Sequence, residues 1–125
     1  MKSSFNLRFE TLEASYDAAG CGLKIRAAGD WKSTTVAAVQ RDLLKAMESD
    51  GVKLAAIGLL ELDLSAAAVV DSQGLNLLVT VLKQMKLRGV PVRTKVARRA
   101  VYLTLLSVGM DRQMEVVFEE GLAAA

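Results

Sequence analysis

The sequence predicts an α/β fold, a single mixed β-sheet of four to five strands with amphipathic helices packed against it. Three observations carry this. Segments with a two-residue apolar period alternate along the chain with segments of helical period. Two strand-like segments near the N-terminus flank a glycine-containing turn, which adds a hairpin. Residues 57–64 are almost wholly apolar, as in a central strand covered on at least one face.

The elements follow in order. Phe5, Leu7 and Phe9 alternate, so residues 5–16 read as strand, broken near the middle. DAAGCG, residues 17–22, is turn chemistry. Leu23, Ile25 and Ala27 alternate with Lys24, Arg26 and Ala28 in a second strand. Ser33 or Thr34 is then placed to cap a helix. Val36, Val39, Leu43 and Met47 recur at helical spacing, and Asp50-Gly51 is expected to end that helix. After the apolar strand, Leu75, Leu78, Val79, Leu82 and Met85 mark a second helix, ending near Arg88-Gly89. VPVRT, residues 90–94, is a short strand with its proline near the start, where a missing N–H is tolerated. Val101, Tyr102, Leu105 and Val108 mark a third helix that stops at Gly109, and residues 114–118 form a last, edge strand. Residues 1–120 are expected to make one domain, with residues 121–125 a frayed tail.

Composition limits function. The 125-residue chain is long enough to bury about two-thirds of its unfolded surface. Lys and Arg total 16 against 14 Asp and Glu, a balance with no electrostatic footprint for nucleic acid. There is no histidine, so the commonest general base and metal ligand is missing. Cys21 is the lone cysteine, which fits a cytoplasmic setting and leaves no intrachain disulfide. No run approaches a membrane span, and MKSSFNLRFE lacks the apolar stretch of a signal peptide. No catalytic residue, metal or cofactor is expected, nor any direct membrane insertion.

The segment LDLSAAAVVDSQGL, residues 62–75, resembles the signature of STAS domains. In that signature a strand ending Asp-Leu-Ser leads through a short loop to Asp-Ser-x-Gly-Leu. Asp63 and Asp71 stand eight residues apart, as the pattern expects. GLKIRAAGDW is similar to the family's second strand and Gly-acidic turn, LKQMKLRGVPVR to the helix-to-strand step, and VARRAVYLTLLSVGMDRQMEVV to the closing helix and strand. The likeness spans residues 23–117, and the joint order makes it specific.

This resemblance, to the anti-sigma-factor antagonists in particular, implies a STAS-type fold and a non-enzymatic protein-binding module. The implied partner is an anti-sigma factor of the serine-kinase type, which the antagonist sequesters and which phosphorylates it at Ser72. Two positions depart from the usual antagonist pattern. Gly29-Asp30-Trp31-Lys32 replaces Gly-Glu-Leu-Asp, and Gln73 stands where Ser or Thr is common. Gly-Asp-Trp turns are similar to those of STAS modules attached to lipid-transport permeases. The alternative is therefore a constitutive STAS adaptor of a lipid or anion transporter.

Read physically, Ser72 sits where a sheet hands over to a helix, so it is either an N-cap or a phosphate acceptor, and a helix N-terminus can hold a phosphate. Asp71, Gly74, Lys32 and Asp30 form its expected environment, with Asp71 either orienting the hydroxyl or ordering the loop. Asp63 is expected to cap a neighbouring loop. Trp31 is either a lid on the core or an exposed partner anchor. Leu75, Leu77 and Val81 widen the apolar stripe of the second helix, as a broad core face or as a partner groove. With Trp31 they form the expected partner-binding set, on a monomer or weak dimer.

Overall fold

The computed structural model describes residues 4–120, so the expected tail over residues 121–125 lies outside the described residues. Six strands form one sheet in the order β1-β2-β3-β4-β5-β6. They are β1 (Phe5–Arg8), β2 (Leu12–Asp17), β3 (Gly22–Ala27), β4 (Leu59–Asp63), β5 (Val92–Val96) and β6 (Glu115–Phe118). β1, β2 and β3 pair antiparallel, and β3 to β6 pair parallel. The expected four to five strands are thus six. The N-terminal segment breaks fully at residues 9–11, where the Phe9 N–H donates to the Leu12 carbonyl at 2.8 Å and closes a tight turn.

Helices fill the parallel crossovers: α1 (Val36–Glu48) and α2 (Asp50–Leu54) before β4, α3 (Ser72–Leu87) before β5, and α4 (Arg99–Ser107) before β6. Two expected helix ends are corrected. Neither Ser33 nor Thr34 caps α1; Thr35 precedes it, and its hydroxyl donates to the Asp30 carbonyl at 2.7 Å rather than capping the helix. α1 stops at Glu48 because Ser49 turns extended, and Asp50-Gly51 lies inside α2, capped by the Ser49 side chain. Gly109 at φ 76° ends the α4 region and opens the 3-10 turn Met110–Arg112.

Because the parallel strands advance in one direction across the sheet, right-handed crossovers place these helices on one face. Burial agrees. Leu12, Ala14, Leu23, Ile25, Leu60, Leu62 and Val96 are buried under the helices. The alternate residues form a charged face whose cross-strand neighbours differ in sign. Lys24 pairs with Glu61 at 3.6 Å and Asp63 at 3.7 Å, and Arg93 pairs with Glu61 at 3.8 Å and Glu115 at 3.0 Å. Opposite charges directly across a ladder stabilise it modestly and also make this face a poor apolar docking surface. Lys95 pairs with Glu119 at 3.9 Å.

Candidate functional site

The site lies at the carboxyl ends of β3 and β4, where loops of adjacent parallel strands meet. Past β3 the chain makes the turn at residues 29–32. Past β4 it crosses residues 64–71 and enters α3. A further parallel bridge, Trp31 with Val70, zips the two loops together. The Trp31 N–H donates to the Val69 carbonyl at 3.1 Å, and the Asp71 N–H donates to the Trp31 carbonyl at 3.2 Å.

Two carboxylates lock this junction. Asp30 accepts the N–H groups of Ala68 at 2.7 Å and Val69 at 3.1 Å, and its other oxygen lies 3.5 Å from the Lys32 ammonium. Burial alone would raise its pKa, but the two backbone bonds and Lys32 hold it below the usual carboxylate value. Asp71 accepts from Gln73 at 2.9 Å and Gly74 at 3.0 Å with one oxygen, and from the Ser33 N–H at 2.8 Å with the other. The Gly74 N–H, then that of Ser33, lowers its pKa most; Lys32 adds a smaller contribution. Asp71 therefore caps α3 and clasps the neighbouring turn at once.

Asp71, not Ser72, is the N-cap. A cap needs an extended backbone and a carboxylate or hydroxyl that reaches back over the first turn, and Asp71 has both. Ser72 is the first helical residue. It is exposed, and its hydroxyl makes no hydrogen bond among the described residues. The donors of Gln73 and Gly74 are already taken by Asp71, so a phosphate on Ser72 would meet a carboxylate there, not free N–H groups.

Gly74 is required by close approach. A Cβ at this position would overlap the Trp31 carbonyl oxygen, with the Trp31 Cβ at 3.0 Å. Trp31 itself is 0% exposed, so it is a core residue and not the exposed partner anchor. Its place in the bridge to Val70 turns the ring inward, and the indole Nε1 has no hydrogen-bond partner among the described residues.

The expected apolar partner set divides. Leu77 and Val81 line a cleft of about 390 Å³ between α1 and α3, with Leu43, Leu44 and Met47 of α1 opposite. Leu77 is 7% exposed and forms part of its floor; Leu44, 54% exposed, stands on its rim. Leu75 is half-buried against the core and does not line the cleft. Asp63 accepts from the N–H and hydroxyl of Ser65 and pairs with Lys24, which orders the loop leaving β4.

Ser33 and Thr35 were not assigned to the site from sequence. Ser33 contributes a backbone N–H, which no side-chain pattern can reveal. The helix-start signal in the sequence falls at Ser33 or Thr34, one or two residues early, whereas the Thr35 hydroxyl accepts the Lys32 N–H at 3.0 Å and braces the turn. Among the described residues no group of three or more His, Cys, Asp or Glu could hold a metal ion, and no helix is long and apolar enough to cross a membrane.

The profile of the STAS domain family matches residues 15–123. Among solved structures, a serine-to-glutamate variant of Moorella thermoacetica RsbS is similar, with a TM-score of 0.58 at 19% identity over 98% of this chain and 92% of that one. At that identity the likeness speaks to the fold. No curated protein sequence matches the chain.

Proposed function

The chain belongs to the STAS domain family, and we propose that it is a cytoplasmic anti-sigma-factor antagonist. It would be a binding module without catalytic residues, switched by phosphorylation of Ser72 and sequestering an anti-sigma factor of the serine-kinase type. One observation carries this reading. Ser72 presents a free, exposed hydroxyl immediately after the capping Asp71, at the head of the helix whose middle lines the apolar α1–α3 cleft.

The physical logic is a charge placed where it cannot be well paired. A phosphate on Ser72 adds nearly two negative charges at neutral pH. Asp71 repels it and already occupies the Gln73 and Gly74 backbone donors. A partner covering Ser72 must desolvate that charge, and each 1.4 kcal/mol lost weakens binding about tenfold. Lys32, which already influences Asp71, is the cation able to offset part of it. The serine-to-glutamate form of the similar RsbS carries an acidic residue in place of a serine, which is the kind of change this switch would use.

Incubation with a serine-kinase anti-sigma factor of the same genome and ATP, followed by peptide mass spectrometry, tests the reading. Phosphate on Ser72 is expected, together with weaker binding of Ser72→Asp and retained binding of Ser72→Ala. Phosphate confined to other residues overturns it. The turn at residues 29–32 favours a second reading, a constitutive adaptor of a lipid or anion transporter, because Lys32 replaces the acidic residue usual in antagonists. Co-purification of a permease, unaffected by Ser72→Asp, would select that reading.

A further inference from the structure

A second cleft, of about 740 Å³, opens at the other end of α3, where the chain turns from Gly89 into β5. Lys83 and Lys86 on its rim lie roughly 17–21 Å along α3 from Ser72. Its walls include Leu82, Val92 and Met110, the last two buried. Its rim carries Lys83, Lys86 and Arg112, and no acidic residue lines it.

The cations are the informative part. On the charged sheet face Lys24, Arg26, Arg93 and Lys95 each have an acidic partner within 4.0 Å. Lys83, Lys86 and Arg112 have none among the described residues. Lys86 lies in the last turn of α3, where a cation complements the carbonyl end of the helix. Lys83 has no such role, and Arg112 closes only the single 3-10 turn Met110–Arg112. Three cations over an apolar wall, in a concavity of the size that holds small molecules, match one ligand chemistry: an anionic head on an apolar body. A dianionic head balances this rim better than a single negative charge, and a guanidinium suits phosphate oxygens.

We propose that this cleft binds a single-chain amphiphile with a phosphate head group, the head on Lys83, Lys86 and Arg112 and the chain along Leu82, Val92 and Met110. The assignment is independent of Ser72 and of the partner that Ser72 serves.

Titration of the ¹⁵N-labelled full chain with decyl phosphate below its micelle concentration tests it. Amide shifts are expected at residues 82–92 and 110–113. The double variant Lys83→Gln, Arg112→Gln is expected to keep the parent's dispersed spectrum and to bind about tenfold more weakly, as for the loss of two partly exposed charge contacts. Decanol and inorganic phosphate, each carrying half of the chemistry, should bind more weakly than decyl phosphate. The proposal is overturned by no shift at the cleft, by shifts confined to the α1–α3 cleft, by equal affinity for decanol, or by equal affinity of the double variant. A response to anionic vesicles without one to monomeric decyl phosphate would assign the rim to a membrane surface and overturn it equally.

Discussion

The Trp31 peptide lies directly against the Cα of Gly74, leaving no room for a side-chain carbon between them. This contact joins the turn after β3 to the first turn of α3, and Asp71 seals it through its bonds to Ser33 and Gly74. The phosphosite proposed at Ser72 is thus built on a rigid junction between two crossovers.

Gly74→Ala should therefore destabilise the fold by about 1–3 kcal/mol, the usual cost of forcing an extra methyl into a packed contact. The obstructing atoms are backbone, which cannot swing away as a flexible side chain could. Denaturant unfolding measures the change. A variant as stable as the parent would show that the helix start shifts freely.

Trp31 should behave as a core residue. Trp31→Ala is expected to cost about 3–5 kcal/mol. Trp31→Phe should cost less, because it also removes a buried N–H that has no partner. As the chain's single tryptophan, it should fluoresce at short wavelength and resist iodide quenching in the native state. Strong quenching of the folded protein would place the ring at the surface.

Stability should fall in acid through a defined set of carboxylates. Asp42 is 2% exposed and accepts the N–H and hydroxyl of Thr11 at 2.9 and 2.7 Å, with Arg41 beside it at 3.1 Å. Burial pushes its pKa up, but the Thr11 and Arg41 bonds more than offset this and lower it from 3.8. A lowered folded-state pKa stabilises the fold above 3.8, and that stabilisation is lost as pH falls through the folded value. Asp30, Asp63 and Asp71 shift in the same direction. The unfolding midpoint should hold steady from neutrality to about pH 5 and drop below about pH 4. Asp42→Ala should lose about 1–3 kcal/mol at neutral pH, since Thr11 keeps two donors without an acceptor. A parent and Asp42→Asn with parallel acid limbs would show that Asp42 does not contribute to the pH dependence.

Lys32 should moderate the switch. In the parent its ammonium lies 3.5 Å from Asp30 and contributes to lowering the Asp71 pKa. Lys32→Asp is expected to make phosphorylation of Ser72 more destabilising, because phosphate would then face acidic residues alone. Thermal melts of the phosphorylated and unphosphorylated forms of both proteins measure this. Equal shifts in the two pairs would remove Lys32 from the mechanism.

The two strand ends that meet at the site illustrate what was legible beforehand. The alternation of strands and helices, the place of β4 and the Asp71-Ser72 step are local patterns, so periodicity and helix-start chemistry in the chain revealed them. The break that splits β1 from β2 was legible as a place but not as an added strand, because pairing depends on a hydrogen bond between Phe9 and Leu12 that periodicity does not encode. α2 was missed for a related reason. Asp50-Gly51 is a strong stop signal, yet Ser49 recaps the chain and starts another turn.

By itself, then, the sequence determined the alternation of strands and helices, the α/β class, the family resemblance and the position of Ser72 at a helix start. Only the tertiary structure decided that Asp71 is the cap, that Trp31 is core, that Gly74 is there for lack of space, and that Lys83, Lys86 and Arg112 share one rim. The reason is physical. Trp31 and Gly74 are 43 positions apart in the chain, and what either residue can do depends on the backbone brought against it when β3 and β4 align side by side.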